Sequence, residues 1–399
     1  MEAQSGETTL SSVAAHDGPH FSPPANAQSH GHKPRDFLSG LARLFHSKQF
    51  LFVAIIFILA LAVRWYLARF ELFFEFDSYW HARMVSYILQ GMPVPMVDPL
   101  AYYQNIAAAT ITNPPLFFWY LSALIYKVFT LNAPYNFDLW VFFVKLIPAL
   151  FGALTSVAMY FLGKELFRNT PHEKSAGVIA GIIAAVMPAF VYRTMGGFFE
   201  DDSLGFLWMV IGFVFFVRAV RNPEWKMENI GNAILAGIGF GLMALSWSAF
   251  NQLIPILLGI GFLQFILWTR ENELQKAKEY AALWFVTFII LAAAATFQVG
   301  VFWLTQLGGI LGNLILHTSE IAWWQSVIGI IIFFGIAAAL WIIQSRKLLS
   351  EKLFRAVFTI VVLGTVLMPL LIAVLNISFQ TGDVLGQSVG EESAGKTFF

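Results

Sequence analysis

The chain contains no cysteine and little charge. Without cysteine there is neither a disulfide framework nor a thiolate metal centre. Charged residues make up only 12% of the 399 positions, far below the share a soluble domain carries. Lys plus Arg equals Asp plus Glu at 24 each, so no excess of positive charge points to nucleic acid. No cleavable signal peptide precedes the first apolar run, which lacks a small-residue cleavage site. What remains is abundant: 58% hydrophobic residues, with 41 Phe and 13 Trp. That is the composition of a chain that uses a bilayer as solvent.

Residues 1–48 depart from this pattern. They are rich in Ser, Pro, Ala and His, hold no apolar run, and are expected to be a disordered tail. His16, His20, His30 and His32 could bind a metal, but their irregular spacing in a flexible tail favours the plainer reading. Beyond them, runs of roughly 20 apolar residues predict about nine spans. They lie near 50–68, 137–163, 175–192, 203–220, 230–248, 250–269, 280–298, 322–344 and 354–378. Two weaker stretches are left out as spans: 116–131, which is short and holds Lys127, and the glycine-bearing 300–316. With the N-terminus in the cytoplasm, this arrangement puts most of the 24 basic residues on the cytoplasmic side. Residues 70–136 become one long external loop. Its 116–131 stretch is predicted to be an interfacial helix with Phe117, Phe118, Trp119 and Tyr120 at headgroup level. Arg64 and Lys145, in or beside spans, are expected to snorkel.

The acids were not used in that assignment, yet they converge. Asp77 falls outside just after the first span, Glu200, Asp201 and Asp202 between the third and fourth, and Glu391 and Glu392 after the ninth. Adjacent carboxylates repel, so a cation that balances them is expected, most simply a divalent metal held by oxygen. Glu200 and Asp202, two apart in RTMGGFFEDD, can present two carboxylates to one ion, with Gly196 and Gly197 permitting a tight turn. The plainer reading is an acidic helix start, with Asp201 and Ser203 as caps. In EFDSYWHAR, Asp77 is a ligand or substrate contact, or else a solvated acid at a helix end. His81, one turn on, is placed to orient Asp77, although a lone His is more often structural. SVGEE, Ser388 to Glu392, reads by composition as a polar loop. Asn376-Ile-Ser378 fits a glycosylation acceptor pattern at the membrane edge.

Together these motifs resemble the catalytic subunit of oligosaccharyltransferase, in particular the single-subunit archaeal and bacterial enzymes. Phe76-Asp77 with Tyr79-Trp80-His81-Ala82-Arg83 is similar to the family's first external aspartate motif. Arg193-Thr194-Met195-x-Gly197 leading to Glu200-x-Asp202 is similar to its second acidic motif, and Ser388-Val389-Gly390-Glu391 to its Ser/Thr-Val/Ile-x-Glu motif. The resemblance covers about residues 50–399, the N-terminal part of the family. It implies an all-α polytopic fold, the GT-C-type glycosyltransferase transmembrane domain, in a prokaryotic cell membrane with its active site external. It implies transfer of an oligosaccharide from a polyprenyl-diphosphate carrier to the Asn of an Asn-x-Ser/Thr sequon in an acceptor polypeptide. It also implies a Mn²⁺ or Mg²⁺ ion surrounded by Asp77, Glu200, Asp202 and Glu391, with Asp77 and Glu391 also contacting the acceptor amide. Arg193, with His81 and Arg83, is a candidate substrate contact.

Two departures from the family pattern stand out. Glu200 replaces the Asp found in many relatives, which alters reach. The chain stops at Phe399, whereas the family continues through further spans into a large external domain with a Trp-Trp-Asp sequon-reading motif. Trp323-Trp324 is followed by Gln325 and Ser326 inside an expected span, and is not that motif. The expectation is a truncated or split enzyme lacking the C-terminal spans and the soluble sequon-binding domain, with a separately encoded C-terminal half as a partner. The alternatives are another polyprenyl-phosphate-dependent glycosyltransferase of this architecture acting on a hydroxyl or lipid, and a non-catalytic membrane partner. A transporter would carry its ionisable groups at mid-membrane rather than at one face.

Overall fold

The computed structural model describes residues 48–95, 97–103, 106–110, 114–300 and 335–361. The histidine-bearing tail, the 322–334 and 362–378 parts of the last two expected spans, Trp323-Trp324, the Asn376 sequon and the SVGEE motif with Glu391 lie outside the described residues, as does all of 300–316 but Gly300.

The described chain is mostly helical. Six helices are long and apolar enough to cross a membrane. Helix α1 (Lys48–Trp65) runs into a 3₁₀ turn over Tyr66–Arg69. The 30-residue α4 (Phe137–Leu166) starts at an Asn136 cap whose side chain accepts from Leu139 N–H at 2.9 Å. Then come α7 (Asp202–Val220), α8 (Met227–Ser246), α9 (Phe250–Arg270) and α10 (Leu274–Val299). Five of these match expected spans closely, and α10 begins earlier than expected. A shorter apolar helix, α11 (Gly335–Ser345), covers the end of the eighth expected span.

The third expected span is not one helix. It is α5 (Glu173–Val186) followed by the short α6 (Pro188–Tyr192). Pro188 has no N–H for the carbonyl four residues back and pushes Met187 into an extended conformation (ψ 116°). The broken pair still runs back along the bundle. Glu165 near the end of α4 meets Arg218 near the end of α7, and Trp140 at the start of α4 meets Phe199 just before α7. Helices α4 and α7 are therefore parallel, and α5–α6 returns the chain between them. In α4, 61% of the apolar window is buried, against 17% in α1, so α4 is central and α1 peripheral.

Residues 70–136, expected as a loop, are folded, and they correct an all-α description. They contain α2 (Phe76–Leu89), an antiparallel hairpin of β1 (Val97–Tyr103) and β2 (Ile106–Thr110), and α3 (Leu116–Phe129). Helix α3 is present as expected, but the four aromatics Phe117, Phe118, Trp119 and Tyr120 are not all exposed. Phe118 and Trp119 are wholly buried in the main core, beside Trp140, Phe143 and Phe199, while Tyr120 is exposed. A run of four consecutive aromatics goes round the whole helix, so its inward face cannot be read from periodicity.

Candidate active site at the acid end

The loop from Arg193 to Asp201 is held by a charge buried inside α1. Arg64 was expected to snorkel; it is instead fully buried. Its guanidinium donates to the carbonyls of Ala184 at 3.1 Å and Ala185 at 2.9 Å, and to Ala60 at 3.1 Å. The break at Pro188 removes the helical donor to Ala184, and Arg64 replaces it. Its Nε donates to Thr194 Oγ1 at 2.7 Å, and its own carbonyl accepts from Gly196 N–H at 3.0 Å. Lys145 also does more than snorkel, donating from Nζ to the Phe70 carbonyl at 2.6 Å.

Two further hydrogen bonds bring the first two acidic motifs together. Gly197, at φ +98°, accepts on its carbonyl from Phe74 N–H at 3.2 Å. Phe199 N–H donates to the buried Ser78 Oγ at 2.9 Å. Asp77 thus begins α2 directly beside the chain leading into Glu200. Asp77 itself is exposed, while Glu200 and Asp202 are buried.

Arg193 bridges the two buried acids. Its Nε is 2.8 Å from Asp202 Oδ2, and Nη1 is 3.6 Å from Glu200 Oε2. Its guanidinium also lies over the Phe198 ring. Trp247, just past α8, hydrogen-bonds Asp202. Nothing in the sequence linked Trp247 or Ser78 to the site. Glu200 Oε1 is buried with no hydrogen-bond partner. Burial, then repulsion from Asp202, pushes Glu200 up to about 7 despite Arg193, with Asp77 and Glu75 adding to the rise. Burial and the flanking carboxylates push Asp201 up to about 8. Asp201 occupies the cap position of α7, as expected, but its side chain makes no capping hydrogen bond. Ser203 does not cap either; its Oγ donates back to the Glu200 carbonyl at 3.0 Å.

The remaining expected contacts are engaged elsewhere. His81 is buried, and its Nδ1 accepts from the Trp119 indole at 2.7 Å, so its hydrogen bond joins α2 to α3 rather than orienting Asp77. Burial lowers it to about 3, and it stays neutral. Arg83 is paired with the fully buried Asp98 of β1 and anchors the hairpin.

The donor set fits a hard cation in part. Carboxylate oxygens are the right chemistry, Glu200 has an unused buried oxygen, and the acids outnumber the cation beside them. Among the described residues, however, no three acids or histidines converge closely enough to enclose an ion. Glu200 and Asp202 converge, with Asp77 within electrostatic reach.

This arrangement has relatives. Residues 49–383 match the family model described as oligosaccharyl transferase STT3, N-terminal. The Archaeoglobus fulgidus dolichyl-phosphooligosaccharide-protein glycotransferase 3 is 27% identical over 227 residues, covering 54% of this chain and 24% of that protein. The Haloferax volcanii dolichyl-monophosphooligosaccharide-protein glycotransferase AglB is 25% identical over 188 residues, covering 43% of this chain and 17% of that one. A solved structure of the Archaeoglobus fulgidus oligosaccharyltransferase AglB, bound to an inhibitory peptide and a dolichol-phosphate, has a similar fold. Its TM-score is 0.54 at 19% identity, with 80% of this chain and 39% of that one covered. The chain thus spans about a quarter of the first relative's length and two fifths of the solved structure. With the family model covering most of its length, the chain belongs to the oligosaccharyl transferase STT3 family.

Proposed function

We propose that this chain carries the acid-bearing membrane part of an enzyme that transfers an oligosaccharide from a polyprenyl-diphosphate carrier to the Asn of Asn-x-Ser/Thr sequons. The observation that carries the proposal is the joining of the Asp77 and Glu200/Asp202 motifs through Ser78 and Phe199. The names of the archaeal and eukaryotic relatives support it. In this reading the chain crosses the membrane about nine times, from a cytoplasmic N-terminus, in a prokaryotic cell membrane. The acid end then faces outside.

A carboxamide nitrogen is a poor nucleophile because its lone pair is delocalised. Asp77 and Glu391 accept its two N–H groups, weaken that delocalisation and aim the nitrogen at the sugar carbon. Asp77, Glu200, Asp202 and Glu391 would hold a Mn²⁺ or Mg²⁺ ion. When bound, the ion would offset carboxylate repulsion and stabilise charge on the departing diphosphate. Arg193 keeps Glu200 and Asp202 together and is the candidate cationic contact to the departing diphosphate. His81 and Arg83 act on substrate only indirectly, by fixing α2 to α3 and to the hairpin.

Membranes bearing the chain, given lipid-linked oligosaccharide, an Asn-x-Thr peptide and Mn²⁺, test the proposal. The expected product is a glycopeptide that disappears with EDTA and in Asp77→Ala and Glu391→Ala. Transfer that appears only on co-expression of a separately encoded sequon-binding half assigns the same chemistry to a two-part enzyme. Transfer to a peptide whose only acceptor is Ser or Thr, or transfer indifferent to EDTA, sinks the proposal.

A further inference from the structure

At the other end of the bundle, a groove lies among α4, α7, α9 and α10. Its cavity of about 460 Å³ has apolar walls that include Leu162, Phe213, Val217 and Ile260. Arg221, Gln264 and Trp268 line it where α7 and α9 end. No Asp or Glu lines it. Arg221 Nη1 and Trp268 Nε1 are both buried without a hydrogen-bond partner. Unmet buried donors are costly, and the cost is greatest when one is charged. Two donors with no acceptor select an anion, and the walls beside them select a hydrocarbon chain.

The neighbouring groups do not satisfy Arg221. A polar cavity of about 290 Å³ on its other side holds Glu165, Glu224 and Glu228 with Arg168, Arg218 and Lys226. Glu165 is taken by Arg218 at 2.8 Å, Glu224 is paired with Lys226, and Glu228 makes no ion pair with Arg221 among the described residues. Among the described residues Arg221 makes no ion pair. The groove is also separate from the acid site. The 19 residues of α7 divide Asp202 from Arg221, roughly 28 Å at 1.5 Å per residue.

We propose that this groove binds an anionic phospholipid, with its phosphate against Arg221 and Trp268 and one acyl chain along Val217 and Phe213. The volume is within the range of small-ligand sites and suits a head and part of one chain. Basic recesses between membrane helices hold acidic lipid headgroups for the same reason.

Native mass spectrometry of the full chain, equilibrated with equimolar phosphatidylglycerol and phosphatidylcholine, tests this. One desolvated guanidinium predicts about a fivefold preference for phosphatidylglycerol. Arg221→Gln should bring the ratio close to one, while Arg221→Lys keeps most of it. Val217→Phe fills the groove without touching the charge and should also cut retention, which covers the case of a misfolded Arg221→Gln. Lys174→Gln removes a charge at the same end but outside the groove, and should leave the ratio unchanged. Unaltered preference in both Arg221→Gln and Val217→Phe overturns the proposal. So does an equal loss in Lys174→Gln, which would mean general surface attraction. Displacement of phosphatidylglycerol by equimolar polyprenyl phosphate also overturns it, assigning the groove to the carrier instead.

Discussion

The two ends of α7 each bury carboxylates, but they are built in opposite ways. At the far end, Glu165 is a single acid facing two cations. Arg218 reaches Oε1 with Nε and Nη2, both at 2.8 Å, and Arg168 lies 3.5 Å from Oε2. At the near end, three consecutive acids and the nearby Asp77 share the single Arg193, although Glu165 Oε2 and Glu200 Oε1 alike lack a hydrogen bond. The first arrangement is charge-compensated and ties α4 to α7. The second has more acids than cations, and burial with mutual repulsion raises Glu200 and Asp201 towards neutrality; under the proposed function a bound cation would supply the balance. Burial alone does not separate a site from a strut; the surplus charge does.

The largest expected effect comes from Arg64, which holds the uncompensated end in place. Arg64→Met strips donors from the Ala184 and Ala185 carbonyls and from Thr194. Thermal unfolding in detergent should show a loss of about 3 kcal/mol or more. Arg64→Lys should not restore it, because one ammonium cannot span acceptors that a planar fork reaches together. An unchanged midpoint in Arg64→Met would show that the acid loop is held by something else.

Next come the acids themselves. Glu200→Gln and Asp202→Asn should each lower glycopeptide formation by about 10²-fold or more, the size of losing one electrostatic group in a preorganised site. In chelator, Glu200→Gln should nevertheless melt no lower than the parent, and higher if the surplus charge is strain. A variant that loses activity and stability together would make the near end a strut like the far one.

Much of this contrast was legible in the sequence, and the missing parts have physical causes. Apolar runs long enough to span marked six helices, because the bilayer fixes their length. The acidic motifs were legible because adjacent carboxylates repel. Arg64 was misread because an arginine near a helix end can equally reach water or face inward, and only the proline break on another helix decides which. The hairpin was missed because its short strands carry no clear alternation, and the pair that ties it to α2, Arg83 with Asp98, joins residues 15 positions apart in the chain. Glu391 lies outside the described residues.

A smaller effect separates groups within the near end by the sign of their pH dependence. His81 is lowered from 6.5 to about 3 by burial. The unfolded chain binds a proton in that window and the folded chain does not, so stability is full above 6.5 and falls as pH drops towards 3. Glu200 is raised from 4.5 to about 7, chiefly by burial. Here the folded chain holds the proton, so stability is full below 4.5 and falls as pH rises towards 7. Melting curves in chelator should lose their acid slope in His81→Asn and their slope towards neutrality in Glu200→Gln. Profiles that both variants leave unchanged would remove the claim that these two groups are buried.

The smallest expected effect tests the far end directly. Arg218→Met leaves Glu165 facing only the more distant Arg168, and should cost about 1–2 kcal/mol, moderated by the partial exposure of Arg218. Glu165→Gln with Arg218→Met removes both charges and should recover most of that loss, because a compensated pair contributes little beyond what its own desolvation costs. The same double replacement at the near end, Glu200→Gln with Arg193→Met, should not restore transfer, since in the proposed function those charges serve a ligand rather than each other. A far-end double variant as unstable as Arg218→Met alone would mean that Glu165 also answers to something beyond its arginines, and the two ends of α7 would then be alike.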